Sequence, residues 1–284
     1  MTKQLLSKIE GCYSSMSKGH KRIADYITEN YDKAAFMTAA KLGDTVGVSE
    51  STVVRFASEL GFSGYPQLQK ALQEVVKSRL TSVQRMEAAG GEDMLEHAFS
   101  SDIETIKVTR ESISREAFNA SVEAINRAKH IYVLGVRSAA SLASFAAFYL
   151  NFVYDSVTLI EPAGTGEAFD QAFRINKDDV CIAISFPRYS KQTINMLRFI
   201  SDRGATVISV TDSENSPIAQ FATHLLLARS SMVSFVDSLV APLSLINALI
   251  AAAASEKSGE VYSNLSSLEN IWDEYQIYQT HEDE

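Results

Sequence analysis

The 284-residue chain has two cysteines, Cys12 and Cys181, far apart in sequence. They make neither a disulfide framework nor a metal-ligand spacing, so no metal or other cofactor is expected. Long apolar runs are missing as well. The longest, Ala248 to Ala254, falls far short of the roughly 20 residues of a membrane span. The opening MTKQLLSKIEGCYSS lacks the apolar core of a signal peptide. A reducing cytoplasm is therefore the expected location, with no membrane partner. No Gly-x-Gly-x-x-Gly follows the first predicted strand and no Walker sequence occurs, which argues against a dinucleotide site and a P-loop. Glu161, Glu167 and Asp170 have no nucleophile paired with them in the sequence, and His224, at a strand start, reads as structural.

Positive charge is scarce too, with a net charge of −9. It is unevenly spread. Residues 1–80 hold 11 Lys and Arg against 8 Asp and Glu, or +3, which leaves 15 against 27, or −12, for residues 81–284. Such asymmetry points towards nucleic-acid contact by the first segment.

What is present divides the chain in two. Residues 1–77 read as short helices. Residues 78–92 lose periodicity and contain Gly90-Gly91, so they are the expected linker. From residue 93 to 284, after one longer helix over Asp93–Thr109, short β-rich runs alternate with helix-length segments. The runs are His130–Leu134, Ser156–Ile160, Val180–Ile184, Thr206–Val210 and His224–Leu227. Most are apolar at consecutive positions, as in strands covered on both faces. Strand–helix alternation predicts a parallel sheet with right-handed crossovers. Further helices are expected near Val236–Ala254 and Asn264–Tyr278. The apolar stripe of the last (Leu265, Leu268, Ile271, Trp272, Tyr275, Tyr278) is expected to pack on its own domain or on a partner subunit. The expected fold class is α + α/β: an all-helical domain, then a five-stranded parallel sheet flanked by helices.

The stretch Thr38–Tyr65, TAAKLGDTVGVSESTVVRFASELGFSGY, has helix-turn-helix grammar. Thr38 caps a helix to Val46, Gly47 supplies the turn, and Ser49 caps a second helix. Val53, Phe56, Ala57 and Leu60 fall at i, i+3, i+4 and i+7, a buried stripe, and Gly61 ends the helix. Glu50, Ser51, Thr52, Arg55, Ser58 and Glu59 remain outward. Small hydroxyls and an arginine near a second helix's N-terminus suit a major groove. Ser49, Ser51, Thr52 and Arg55 are the candidate DNA contacts, and Lys21 and Arg22 are candidates for phosphate. A helical hairpin with an ordinary solvated face, or one that binds another protein, is the alternative.

In an open parallel sheet, ligands bind beyond the carboxyl ends of the strands. After the first predicted strand stand Arg137 and Ser138; after the third stand Ser185, Arg188 and Ser190. Hydroxyls and arginines at helix N-termini make anion sites. The alternative is that Ser138 and Ser190 cap helices and that Arg137 and Arg188 make interface salt bridges.

The helical domain with STVVRFASELGFSGYPQLQ, followed by a domain with VLGVRSAASLA and DVCIAISFPRYSKQTI, resembles the RpiR/MurR-type bacterial transcriptional regulators. Those join a helix-turn-helix domain to a sugar isomerase (SIS) domain. The resemblance implies a DNA-binding regulator of sugar catabolism, not an enzyme, that sits on a palindromic double-stranded operator. It also implies a homodimer or homotetramer whose SIS domain senses a small anionic carbohydrate. The family's phosphosugar positions map onto Ser138, Ser185 and Ser190. Two departures stand out: Pro187-Arg188 replaces the Ser-Gly of the usual Ser-x-Ser-Gly-x-Thr loop, and Arg137 stands where a small residue is common. Both suit a strongly anionic ligand, with a carboxylate sugar or phosphorylated polyol as competitors to a simple hexose phosphate. The rival function is a sugar-phosphate isomerase, which needs a general base in the pocket loops.

Overall fold

The computed structural model describes residues 8, 9, 11–79, 81–88, 93–161, 165–232 and 234–278. The chain divides into two compact units, Met1–Gly91 and Glu92–Glu284.

The first unit is helical: α1 (Lys18–Glu29), α2 (Tyr31–Ala34), α3 (Ala39–Val46), α4 (Glu50–Glu59), α5 (Tyr65–Arg79) and α6 (Ser82–Ala88). Local chemistry sets the helix starts. The Ser17, Thr38 and Ser49 hydroxyls accept the amides of His20, Lys41 and Thr52, each satisfying a donor that the helix leaves open. Ile23, Ile27, Leu42, Val53, Phe56 and Leu68 are buried and form the core. Tyr65 and Gln69 donate to the carbonyl of Met37 at 2.7 and 2.8 Å, which ties α5 to the chain before α3. Burial pushes the Tyr65 hydroxyl up to about 12, so it stays a donor.

The expected linker is in part helical. Within 78–92, α5 runs to Arg79 and α6 follows; residues 80 and 89–92 lie outside the described residues. The cause is a capping box: the Thr81 hydroxyl accepts from the Gln84 amide at 3.3 Å, while Gln84 Oε1 accepts from the Thr81 amide at 3.0 Å. That reciprocal pair starts a helix without any apolar periodicity.

The second unit begins with α7 (Met94–Ser112) and α8 (Arg115–Arg127). A sheet follows: β1 (Ile131–Gly135), β2 (Val157–Ile160), β3 (Val180–Ile184), β4 (Thr206–Thr211) and β5 (His224–Leu227), interleaved with α9 (Ala140–Leu150), α10 (Thr165–Ala172) and α11 (Lys191–Asp202). All five strands are parallel, in the order β2-β1-β3-β4-β5. A short antiparallel hairpin, β6 (Ser231–Met232) with β7 (Asp237–Ser238), precedes α12 (Val240–Glu256) and α13 (Ser258–Glu274).

Both faces of the sheet are covered, as the consecutive apolar strand residues demand. Val133, Ile182, Ile184 and Val210 pack with residues of α8, α9 and α12; Leu134, Cys181, Ala183 and Val207 pack with residues of α10 and α11. Burial pushes the Cys181 thiol up to about 12, which makes it a core group. The last two helices start elsewhere than their patterns predict. Residues 237 and 238 pair in the hairpin, and α12 begins at Val240 with Pro242 in its first turn, where proline removes no helical bond. Helix α13 starts at Ser258, seven residues before its apolar stripe. Of that stripe, Trp272 is half-buried and meets Phe152 and Tyr278 edge-to-face, while Leu265, Ile271, Tyr275 and Tyr278 are exposed.

Gly47 links α3 to α4 with φ of +68°, and a Cβ there would lie 2.4 Å from the Arg22 guanidinium. Gly47→Ala is expected to destabilise the first unit by about 1–3 kcal/mol through left-handed strain and displacement of Arg22. Urea unfolding followed by circular dichroism measures it; unchanged stability would contradict this role of the turn.

Candidate functional site

Two sites emerge, one in each unit. In the first, α4 buries Val53, Phe56 and Ala57 and turns Glu50, Ser51, Val54, Arg55, Ser58 and Glu59 to solvent. Its N-terminus carries three linked hydroxyls: Ser49 Oγ lies 2.9 Å from Ser51 Oγ and 2.8 Å from Thr52 Oγ1. Ser49 is thus engaged in the cap, which leaves the exposed Ser51 as the hydroxyl more open to a partner. The Arg55 Nε donates to the Ser51 carbonyl at 3.3 Å, with the guanidinium on the surface.

The two other predicted cations have folded roles as well. Arg22 donates to the Gly47 carbonyl at 3.0 Å, bracing the turn between α3 and α4. The Lys21 ammonium sits 5.4 Å above the Tyr13 ring. Glu59, a charge that phosphate would repel, is drawn aside by His20, whose Nδ1 lies 2.6 Å from its carboxylate. Val54, 39 % exposed on the same helix, was not among the predicted contacts. An apolar side chain there can meet a thymine methyl, and its one-residue offset from the Val53–Phe56 stripe was the available signal.

In the second unit the strand order reverses at β1. The chain passes from β1 to β2 on one side, then returns to β3 on the other, so the switch-point crevice lies between β1 and β3. Gly135 pairs with Ile184. The next residues are therefore 136–139 and 185–190, and all five predicted ligand residues fall on these two neighbouring loops. Gly135 is required by close approach, because a Cβ would lie 2.6 Å from the Ala139 carbonyl oxygen and 2.8 Å from Ala143 Cβ.

The two loops differ in construction. Arg137 is exposed and adopts φ of +59°, a left-handed conformation that disfavours any side chain. Ser138 is exposed and does not cap α9, whose N-cap is Ala139 without a side-chain bond. Its hydroxyl is therefore not spent on the helix. Ser190, by contrast, caps α11 by accepting the Gln192 amide at 3.2 Å. Ser185 is 4 % exposed at the crevice floor, its amide donating to Val210. Arg188 is exposed and Pro187 buried.

Sequence reasoning missed one pair. The Tyr189 hydroxyl donates to Asp212 Oδ1 at 2.6 Å, and Thr211 Oγ1 donates to the same oxygen at 3.3 Å. Asp212, 7 % exposed, follows β4 directly. A carboxylate just past a buried strand was the signal. The contact ties the β3 loop to the β4 loop across the sheet edge.

The opposite rim holds different chemistry. Two cavities of about 430 Å3 open there, lined by residues such as Lys129, Asp178, Asp179 and His224 in one and Tyr154, Lys257 and Glu260 in the other. His130 is held between Ser156 and Thr158 at 2.6 and 2.8 Å, and burial holds its imidazole below the usual histidine range. Both His130 and His224 stand at amino ends of strands, away from the crevice. Among the described residues there is no cluster of three His, Cys, Asp or Glu suited to a metal, and no helix is long and apolar enough to cross a membrane.

Comparison with known proteins matches both units. The helix-turn-helix domain of the rpiR family matches residues 3–79, and the SIS domain matches residues 124–252. An HTH-type transcriptional regulator of Haemophilus influenzae is 26% identical over 78% of this chain and 79% of its own. The sugar isomerase domain of an RpiR transcription factor from Sphaerobacter thermophilus is 30% identical, covering 61% of this chain and 96% of that one, with a TM-score of 0.58. The Vibrio vulnificus NanR protein, complexed with ManNAc-6P, is 23% identical across 95% of this chain and 98% of its own, with a TM-score of 0.60. With a recognition helix of this form ahead of a five-stranded parallel sheet, the chain belongs to the RpiR family of helix-turn-helix transcriptional regulators that carry a SIS domain.

Proposed function

We propose that this regulator acts in the cytoplasm on genes of sugar catabolism, binding a palindromic operator as a homodimer or homotetramer. Its SIS domain senses a phosphosugar or a related anionic carbohydrate and performs no turnover. The observation that carries the reading is the β1/β3 crevice, where one exposed arginine held in a left-handed conformation and one uncommitted serine face a second arginine-bearing loop. Left-handed strain at a non-glycine residue costs on the order of 1 kcal/mol and is retained where the side chain has work to do. The phosphosugar in the NanR complex supports the class of ligand. Against turnover stands the engagement of Asp212, the buried carboxylate just past β4, which already accepts from Tyr189 and Thr211 and is not offered as a general base.

The roles follow from chemistry. Arg137 and Arg188 supply charge for the anion, with Ser138, Ser185 and Ser190 as hydrogen-bonding partners. Ser51, Thr52 and Arg55 read base edges, Ser49 holds the helix start, and Lys21 and Arg22 lie on the phosphate side. The effector must bind one arrangement of the paired DNA-binding units better than another, since equal affinity shifts nothing.

Arg55→Ala is expected to weaken operator binding by about 1–3 kcal/mol, measured by gel shift at fixed salt; wild-type affinity would remove Arg55 from the interface. Arg137→Gly separates strain from function. Unfolding free energy should stay level or rise by up to about 1 kcal/mol, while affinity for phosphosugars in calorimetry should fall about tenfold or more. Unchanged ligand affinity would overturn the anion site. Arg188→Ala is expected to abolish effector response with basal operator binding intact; a normal response would exclude that cation as a ligand.

A further inference from the structure

Thr52, Arg55 and Glu59 follow one another on α4 at spacings of three and four residues, so they share one edge of the helix. Two of them are candidate DNA contacts and the third is an acid. An arginine and a glutamate four positions apart on a helix attract each other. A guanidinium paired in that way is neutralised and laid along the helix, away from any base edge or phosphate. In this fold the pair is not made. Among the described residues Arg55 has no ion pair; its Nε donates to the Ser51 carbonyl at 3.3 Å. Glu59 is held by another residue, His20, whose Nδ1 lies 2.6 Å from Oε2. An ionised carboxylate only accepts, so Nδ1 is the donor. Glu50, the other acid of α4, is five positions from Arg55 and lies on a different face.

The first turn of α1 delivers His20 to this place. Ser17 caps the helix and accepts the His20 amide at 3.2 Å. Gly19 brings the turn against α4: a Cβ there would lie 3.4 Å from Thr52 Cγ2 and 3.6 Å from Val48 Cγ1. Phe56, buried, meets the His20 ring edge-on, with centroids 5.7 Å apart and planes at 71°. The His20 side chain is 12 % exposed and that of Glu59 37 %. The imidazole is therefore fixed by packing, while the longer, more exposed Glu59 would have several places to go without it, the Arg55 guanidinium among them.

We propose that His20 is a positioning residue for DNA recognition: by holding Glu59 it keeps Arg55 unpaired and draws negative charge off the contact edge of α4. This rests on the reading of Arg55 as a DNA contact. The hold on Glu59 need not be strong, because an exposed ion pair between residues four apart is itself weak. Two effects add when the hold is lost. Arg55 gains a competitor for its guanidinium, and a freed carboxylate stands beside the phosphates, where like charge opposes binding.

The test is the affinity of the full chain for a duplex that the wild type enriches from random sequence, read by fluorescence anisotropy at low ionic strength, where charge effects are least screened. His20→Leu keeps an apolar contact with Phe56 and removes the donor; it is expected to weaken binding about threefold or more. His20→Leu with Glu59→Ala should return to wild-type affinity, and Glu59→Ala alone should bind at least as tightly as the wild type. If the contact were only a brace for α4, all three variants would bind weakly, and that result would overturn the proposal, as would wild-type affinity in His20→Leu. Glu59→Ala, at an exposed helix position, decides the matter even where His20→Leu does not fold. Arg55→Ala separates the two layers. If it binds like the wild type, or if no duplex is enriched, the reading of Arg55 falls and the proposal with it; if it weakens binding while His20→Leu does not, only the role of His20 falls.

Discussion

A strand buried on both faces can meet solvent only at its ends, and that constraint organises the second unit. β1 and β3 are buried along their whole length, so the groups of these strands' segments able to touch a small polar ligand collect at the rims. The order β2-β1-β3-β4-β5 then opens the carboxyl rim at one place, between β1 and β3. Arg137, Ser138 and the 185–190 loop stand there because the chain must turn there. The opposite rim has cavities and two histidines but, among the described residues, no loop pair facing across a reversal of strand order.

The loop after β3 solves a local problem in a particular way. With Pro187 and Arg188 in it, the turn has no glycine to fold tightly. The Tyr189–Asp212 hydrogen bond fastens it to the next strand instead. Buried hydrogen bonds to a carboxylate are stronger than neutral ones, so the tie fixes the segment that presents Arg188. The first unit shows the same economy: Arg22 braces the Gly47 turn and His20 holds Glu59, and the outer face of α4 presents hydroxyls, Val54 and Arg55 beside Glu50.

Much of this is legible in the sequence where the determinant is local. Thr38, Gly47 and Ser49 state the helix-turn-helix because caps and left-handed turns depend on a residue and its near neighbours. The five strands are legible because burial on two faces requires unbroken apolar runs. What escaped needs distance or reciprocity. The Thr81–Gln84 box makes a helix in a stretch without periodicity. Asp212 meets Tyr189 across 23 residues of chain. The start of α12 yields to a hairpin whose Ser238 is held by Asp102, more than 100 positions earlier. Whether Ser138 and Ser190 cap helices is undecidable from spacing; in the fold Ser190 does and Ser138 does not.

The central claim is that the crevice and the recognition helix share one equilibrium. Linkage makes the claim exact: if an effector changes operator affinity by some factor, the operator changes effector affinity by the same factor. Calorimetric titration of a phosphosugar into the full chain, free and saturated with operator, tests it. The account predicts two different dissociation constants whose ratio equals the effector-induced change in operator affinity; identical constants in both titrations would contradict it.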